Sequence, residues 1–295
     1  MKSKLKGPLC LFLCSVFWGM AFAAQSTAME HMGPYTFVFL RSIITSVVLF
    51  CVHPLMVHAH IIPKTNENKA ALWKTGALCG VFLVAATLFQ QIGLVTTTTA
   101  KSGFITALYI VIVPILGLFL GKKPQITIVF GVLLAVVGLY FLCMKGSLKI
   151  ESGDLVTFFS AVVFAIHILV IDRFGANLDS VKLSAIQFLT AAVVSGVLAF
   201  TLETPTFASF ADCWTSVLYV AICSGAMGYT LQIVGQKSTD PTIASLIMCL
   251  ESVFSAVGGW ILLNQTLSGQ EMLGCVLMLS ASVISLIPLP ARKKA

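Results

Sequence analysis

Apolar runs, each close to twenty residues long and separated by short polar connections, follow one another along the whole sequence. They fall at about 8–29, 34–57, 71–94, 97–120, 126–144, 153–171, 181–202, 212–235, 241–263 and 270–289. About twenty apolar residues are what an α-helix needs to cross the roughly 30 Å hydrocarbon core of a bilayer. Hydrocarbon offers backbone groups no outside partner, so each run is expected to close its own hydrogen bonds as a helix. The runs are too long for barrel strands, which need only about ten residues. The longest polar connection runs from His58 to Lys69 and contains Pro63, Asn66 and Asn68. No segment is left over for a soluble catalytic domain. Only 10% of the 295 residues are charged, against about 25% in soluble proteins, which excludes an ordinary water-soluble enzyme. The expected fold is therefore an all-α integral membrane bundle of ten helices.

The amino terminus imitates a cleavable signal peptide, with Lys2, Lys4 and Lys6 ahead of an apolar run that ends in Ala21-Phe22-Ala23. An internal repeat argues for keeping it, because a removed peptide has no reason to match a helix in the middle of the chain. The net charge of +7 does not point to nucleic acid, since the basic residues cluster beside apolar runs: Lys122 with Lys123, and Arg292 to Lys294 at the end. With the amino terminus inside, Lys and Arg minus Asp and Glu come to +10 on the cytoplasmic side and −3 on the other. That asymmetry places both termini in the cytoplasm and requires an even number of spans. The nine cysteines lie almost entirely within apolar runs and form no CxxC pair. This pattern suits small packing residues rather than a metal site or a disulfide framework, and no cofactor is expected.

The two halves of the chain resemble each other. Residues 12–19 line up with 158–165 at an offset of 146, where Arg41 meets Gln187. Towards the ends of the halves the offset becomes 143, pairing Gly131 with Gly274 and Gly138 with Ala281. Trp73 and Trp214 each open a third span, and Gln91-Ile92 and Gln232-Ile233 follow eighteen residues later. Residues 1–148 and 149–295 thus form two five-helix repeats. Five is odd, so the second repeat is expected to insert upside down relative to the first. Inverted repeats recur in secondary transporters, whose substrate site lies near the midplane between them.

The chain resembles the EamA-type carriers of the drug/metabolite transporter superfamily. The residues that carry the likeness are Trp18-Gly19 and Phe22, Phe39-Leu40-Arg41, Ala100 to Ile105, Pro114, and Leu120 to Pro124. In the second half they are Gly153-Asp154, Pro241, Leu250-Glu251-Ser252-Val253-Phe254 and Trp260. The resemblance implies a carrier of small organic metabolites in the bacterial inner membrane. Two places depart from it. Where members often carry Glu after the Leu-Gly that ends spans 4 and 9, this chain has Lys122 and Gln265.

Several side chains stand out as candidates for a substrate site. Glu251 falls near the middle of the ninth span, where an ionisable group is costly and ordinarily faces a cavity or a partner. It reads either as a proton or substrate-cation site or as a structural partner of a neighbouring helix. Arg41 suits a bidentate grip on a substrate carboxylate, but its shallow depth suits snorkelling to the surface somewhat better. Lys101 reads as an entrance charge or a structural contact. Polar stripes run through span 8 (Gly225, Tyr229, Gln232, Gln236) and span 3 (Gly80, Val84, Thr87, Gln91), and both are expected to face the centre of the bundle. Trp18, Phe22 and Gln25 share one face of span 1, as Phe164, His167 and Ile168 do in span 6. Tyr109 lies two turns beyond Lys101. Trp18, Gln91, Tyr109, His167, Tyr229, Gln232 and Glu251 are the expected substrate contacts. Pro114 should kink span 4 and act in gating. The glycine faces of spans 5 and 10 are assigned to scaffolding or to a homodimer contact.

No phosphate-binding glycine loop is present, so transport driven by ATP through this chain alone is not expected. The expected function is a secondary carrier that takes a small-molecule substrate across the bilayer by alternating access, with proton coupling through Glu251 as one mode. An amino acid or related zwitterion would suit Arg41, Lys101 and Glu251, while a quaternary amine or drug-like cation would suit Trp18, Tyr109, Tyr229 and Glu251. A membrane enzyme is disfavoured because the histidines at 31, 53, 58, 60 and 167 are scattered. A sensor or assembly subunit without transport would show binding without flux.

Overall fold

A computed structural model of the chain describes residues 2–63, 65, 67–97, 99–122, 125–143, 151–263 and 268–287, and these are helical with no strand among them. In chain order the helices are α1 (Lys2–Met29), α2 (Pro34–His58), α3 (Lys69–Leu94), α4 (Thr99–Ala107), α5 (Tyr109–Phe119), α6 (Ile126–Cys143) and α7 (Ser152–Phe174). There follow α8 (Ser180–Leu202), α9 (Phe207–Tyr219), a π-helical segment (Val220–Tyr229), α10 (Thr230–Gln236), α11 (Pro241–Met248), α12 (Glu251–Leu263) and α13 (Gly269–Ser285). Several starts follow directly from capping chemistry. Asn68, Asp179 and Asp240 accept backbone N–H groups at the heads of α3, α8 and α11, and Ser268 with Glu271 forms a capping box at α13.

Among the described residues eight helices are long and apolar enough to cross a membrane, and they coincide with the expected spans 1 to 4 and 6 to 9. Two shorter apolar helices, Ile126–Leu142 and Gly269–Ser285, occupy the places of spans 5 and 10. At 17 residues, α13 measures about 26 Å, the lower edge of spanning length. These two helices pack face to face through their small residues. A Cβ on Gly138 would lie 2.9 Å from the Gly274 carbonyl oxygen, and one on Gly274 would lie 2.6 Å from that of Gly138. The glycine faces assigned from sequence to scaffolding or dimerisation are therefore turned towards each other within the chain.

The pairing of the remaining helices crosses between the halves. α2 lies against α8, α3 against α7 and α8, α1 against the π segment and α10, and α1 against α12. Side chains tie these pairs at both ends of the bundle. At one end Lys122 pairs with Asp172, Glu67 with Lys182 at 2.8 Å, and His53 Nε2 with Asp179 at 3.3 Å. At the other end the Glu203 carboxylate accepts the N–H of Tyr35 (3.1 Å) and Thr36 (2.8 Å) at the head of α2. There too Thr97 donates to Asp154.

Three spans are irregular half-way along. Helix α5 runs through Pro114 without interruption. Span 4 breaks at Leu108, where Val111 N–H turns to the carbonyl three residues back. A proline crowds the turn preceding it and removes one donor, which favours an irregularity on its amino-terminal side. Span 9 breaks at Cys249–Leu250, inside a stretch with no proline. What the two breaks share is the residue that follows: Tyr109 opens α5 and Glu251 opens α12. Span 8 carries the third irregularity, the ten-residue π segment, a geometry that is rare and tends to sit at functional sites.

Candidate functional site

The two breaks and the π segment converge on one cavity. Trp18 and Phe22 from α1, Tyr109 from α5, Phe164 from α7 and Tyr229 from the π segment supply its aromatic lining. Gln25, Arg41, Gln90, Thr106, Ser224 and Glu251 supply its polar groups. Aromatic walls with a few convergent polar groups are characteristic of small-molecule sites.

Local geometry fixes each of these side chains. The Trp18 ring lies 4.7 Å from that of Tyr229, and its Nε1 donates to the Ser224 carbonyl at 3.2 Å. Close approach of α1 to the π segment depends on Gly228, where a Cβ would fall 2.6 Å from Trp18 Nε1. On the other flank a Cβ at Gly19 would lie 2.5 Å from the carbonyl oxygen of Glu251. The Tyr109 hydroxyl donates to Glu251 Oε1 at 3.2 Å, so the first residues after the two breaks meet across the cavity. A carboxylate in the first turn of α12 also benefits from the helix dipole.

The cationic side is built around Gln25. Its Oε1 accepts from Gln91 Nε2 at 2.5 Å and from Arg41 Nη1 at 3.5 Å, joining α1, α2 and α3. Arg41 also lies 6.0 Å over the Phe37 ring, and its Nε has no hydrogen-bond partner. Gln90 donates to Thr106 at 3.2 Å beside it. Arg41 and Glu251 are 2% and 5% exposed, and neither has an ion-pair partner among the described residues. A basic and an acidic group thus face one cavity without an ion-pair partner among the described residues, in a setting where an isolated charge is costly.

Of the side chains singled out from sequence as substrate contacts, Trp18, Tyr109, Tyr229 and Glu251 line the cavity. Arg41 corrects the reading that slightly favoured snorkelling. Its helix enters from the bundle end held by Glu203, and the side chain turns inward to Gln25 instead of outward. Gln91, His167 and Gln232 are buried but do not line the cavity. Gln91 stands behind Gln25, and His167 bonds Gln187 at 3.0 Å with its ring 6.2 Å from Tyr229. Gln232 lies one turn past Tyr229. The Lys101 side chain, together with Lys123, Pro124, Gln265 and the basic tail from Arg292, lies outside the described residues. Gln90, Thr106 and Ser224 were not singled out from sequence. Gln90 sits one 100° step from Gln91, and Ser224 acts through a carbonyl, so neither left a side-chain signal to read.

The family model described as the EamA-like transporter family matches the chain twice, over residues 5–144 and 151–287. The chain belongs to the EamA-like transporter family. An "Uncharacterized transporter" of Archaeoglobus fulgidus is 27% identical over 285 residues, covering 95% of this chain and 86% of the relative. "Uncharacterized transporter YvbV" of Bacillus subtilis is 22% identical over 289 residues, covering 94% and 90%. A solved crystal structure aligns with a TM-score of 0.78 over 95% of this chain and 96% of its own, at 18% identity, which speaks for the fold alone. Family, relatives and apolar helices together make this a multi-pass membrane transporter.

Proposed function

We propose that this protein is a secondary carrier in the bacterial inner membrane that moves a small zwitterion, an amino acid or close relative, by alternating access. The observation that carries the reading is a cavity lined by both Arg41 and Glu251, each without an ion-pair partner among the described residues. A molecule bearing both charges satisfies both groups at once. Its carboxylate meets Arg41 on the Gln25 side, and its ammonium meets Glu251 and Tyr109.

In this reading α6 and α13 are the fifth and tenth spans, and the two family-matched halves are inverted repeats. Supporting it, the contacts come in mates that an exchange of halves interchanges: span 3 with span 6 and span 8 with span 1, and span 2 with span 7. The broken fourth and ninth spans are likewise mates and meet at Tyr109 and Glu251. Discontinuous helices that end at a midplane site are what carriers of this design use. The charge asymmetry orients the Lys122–Asp172 end inward, with both termini in the cytoplasm.

A second reading has its own observation. The Trp18–Tyr229 pair stands beside Glu251, an arrangement suited to an organic cation through cation–π contact. Thermal-shift titration of the purified protein with amino acids, quaternary amines, nucleosides and organic acids separates the two. A ligand at about 100 times its Kd adds about 2.7 kcal/mol. Stabilisation by amino acids that disappears when either end is blocked, as methyl ester or N-acetyl derivative, supports the zwitterion. Stabilisation by tetraalkylammonium ions alone replaces it with the cation carrier. Proton coupling through Glu251 has a separate check in proteoliposomes: Glu251→Gln should abolish accumulation driven by a pH gradient, and accumulation equal to the parent rejects the coupling.

A further inference from the structure

Tyr229 closes one side of the cavity, and beyond it lies a second buried polar group that the substrate site does not use. Gln232 and Gln236 continue the face of Tyr229 along α10 at helical steps. His167 on α7 and Ser184 and Gln187 on α8 complete the group. His167 Nε2 and Gln187 Oε1 are 3.0 Å apart, and Gln236 Nε2 donates to the carbonyl of Ile168, next to His167, at 2.9 Å. The Tyr229 ring touches this group from above, 6.2 Å from His167 and 5.2 Å from Phe188, the neighbour of Gln187.

All five side chains are at most 4% exposed, yet each leaves a polar atom without a hydrogen-bond partner. These atoms are His167 Nδ1, Ser184 Oγ, Gln187 Nε2, Gln232 Oε1 and Gln236 Oε1. Exchanging the amide nitrogen and oxygen of Gln187 leaves the count unchanged, because the imidazole tautomer exchanges with it. Native proteins leave only a few such atoms per hundred residues, so five on the facing helices α7, α8 and α10 need a reason. The set mixes donors with acceptors. A metal ion would take acceptors alone and an anion donors alone, whereas water and neutral polar groups take both.

We propose that His167, Ser184, Gln187, Gln232 and Gln236 form a second polar site in the inner half of the bundle, hydrated while Tyr229 closes the cavity above it. The site receives the hydrogen-bonding groups of the substrate on its way between the cavity and the inner face. Hydration rests on the side chains alone, while the transit role rests on the carrier reading. The site leads towards the Lys122–Asp172 end: Lys237, next to Gln236, reaches the carbonyl of Leu178 beside Asp179. Closed in this conformation, it is the stretch a substrate must cross to leave the cavity inward.

Radiolytic hydroxyl-radical footprinting of the purified protein tests hydration, because it oxidises buried side chains that lie beside bound water. His167 should be labelled at least tenfold faster than Phe37, a fully buried ring in an apolar cluster. Labelling of His167 no faster than Phe37 overturns the proposal. The transit role is read from counterflow of a mixture of the twenty amino acids in proteoliposomes, comparing the parent with Gln232→Leu and Gln236→Leu. The expected result is at least a tenfold slower exchange per folded molecule, with the melting temperature equal or higher and the amino-acid thermal shift within twofold. A lower melting temperature with exchange per folded molecule unchanged overturns the transit role and makes the cluster structural. If the parent shows rapid His167 labelling but no counterflow, the amino-acid reading fails while the hydrated site stands.

Discussion

At the scale of single residues, the cavity works through close backbone approach and hydrogen bonds that hold charged groups at fixed places. Arg41 is the sharpest case. Its guanidinium is held by a long hydrogen bond to Gln25 and by the Tyr229 hydroxyl, and its Nε keeps a donor free for a planar acceptor. Lysine carries the same charge but cannot present that fork. Arg41→Lys should therefore weaken binding of carboxylate-bearing ligands by about 1.5–3 kcal/mol, the scale of a charge-assisted hydrogen bond. The shift of the thermal-titration midpoint measures this, and an unchanged midpoint removes Arg41 from the site. Gly228 is the residue on which the Trp18 position depends. Adding a methyl group against the indole nitrogen should cost about 1–3 kcal/mol by overpacking. A Gly228→Ala protein that melts at the parent temperature would contradict this account of the α1 contact.

At the scale of elements, the informative features are places where helices fail to be regular. A helix break frees backbone carbonyls and N–H groups that must find partners inside a bundle. Here the breaks at Leu108 and Cys249–Leu250 bring Tyr109 and Glu251 to the cavity, and the π segment releases the Ser224 carbonyl to Trp18. Pro114 lies in the half-helix after the first break and so belongs to the element that would swing if the break is a hinge. Pro114→Ala restores a donor and stiffens that half. It should change the rate of transport in proteoliposomes more than the affinity read by thermal shift, and identical kinetics would sink the gating role. Thr65–Asp179 and Glu67–Lys182 pin the connection between α2 and α3 to the head of α8, and His53–Asp179 ties α2 itself to the same place.

At the scale of the whole molecule, the two halves are held together by charges at both ends and by apolar packing between, so the balance between conformations depends on those end contacts. Burial raises the Asp179 carboxyl, but the Lys182 backbone N–H and His53 outweigh it, and the group ends below its ordinary value. Glu67 behaves alike: burial raises it, while hydrogen bonds from Lys182 and Thr65 bring it lower. A depressed folded-state pKa gives stability that is complete above the unfolded value, about 4 for these groups, and is lost as pH falls through the folded one. Melting temperature should therefore decline below about pH 4. The decline should be smaller in an Asp179→Asn, Glu67→Gln double variant, and equal acid sensitivity would show that other carboxyls dominate. The same variant weakens the inward end alone, so in the carrier reading it should favour the conformation open on that side.

How much of this was legible beforehand differs between particular residues for physical reasons. Membrane spans are set by local composition, since every residue in hydrocarbon must be apolar or paired. Eight of the ten expected spans accordingly recur as long apolar helices, and the two remaining places hold shorter ones. Trp18, Tyr109, Tyr229 and Glu251 could be singled out because a large ring or a charge in the middle of such a run is unusual in itself. Which way a side chain turns was not legible, because helices apolar nearly all round carry no amphipathic face to orient them. That is why Gln90 rather than Gln91 reaches the cavity, and why Arg41, shallow by position, turns inward to Gln25. The exact place of a break also depends on tertiary partners, since Pro114 favours only the turns before it and Cys249–Leu250 breaks with no proline following it in α12. Sequence alone thus determined that the chain is a helical membrane bundle with two related halves. Only the tertiary structure decided where its helices give way and which charges meet in one cavity, because both depend on partners more than a hundred residues apart, as in the contact between Tyr109 and Glu251.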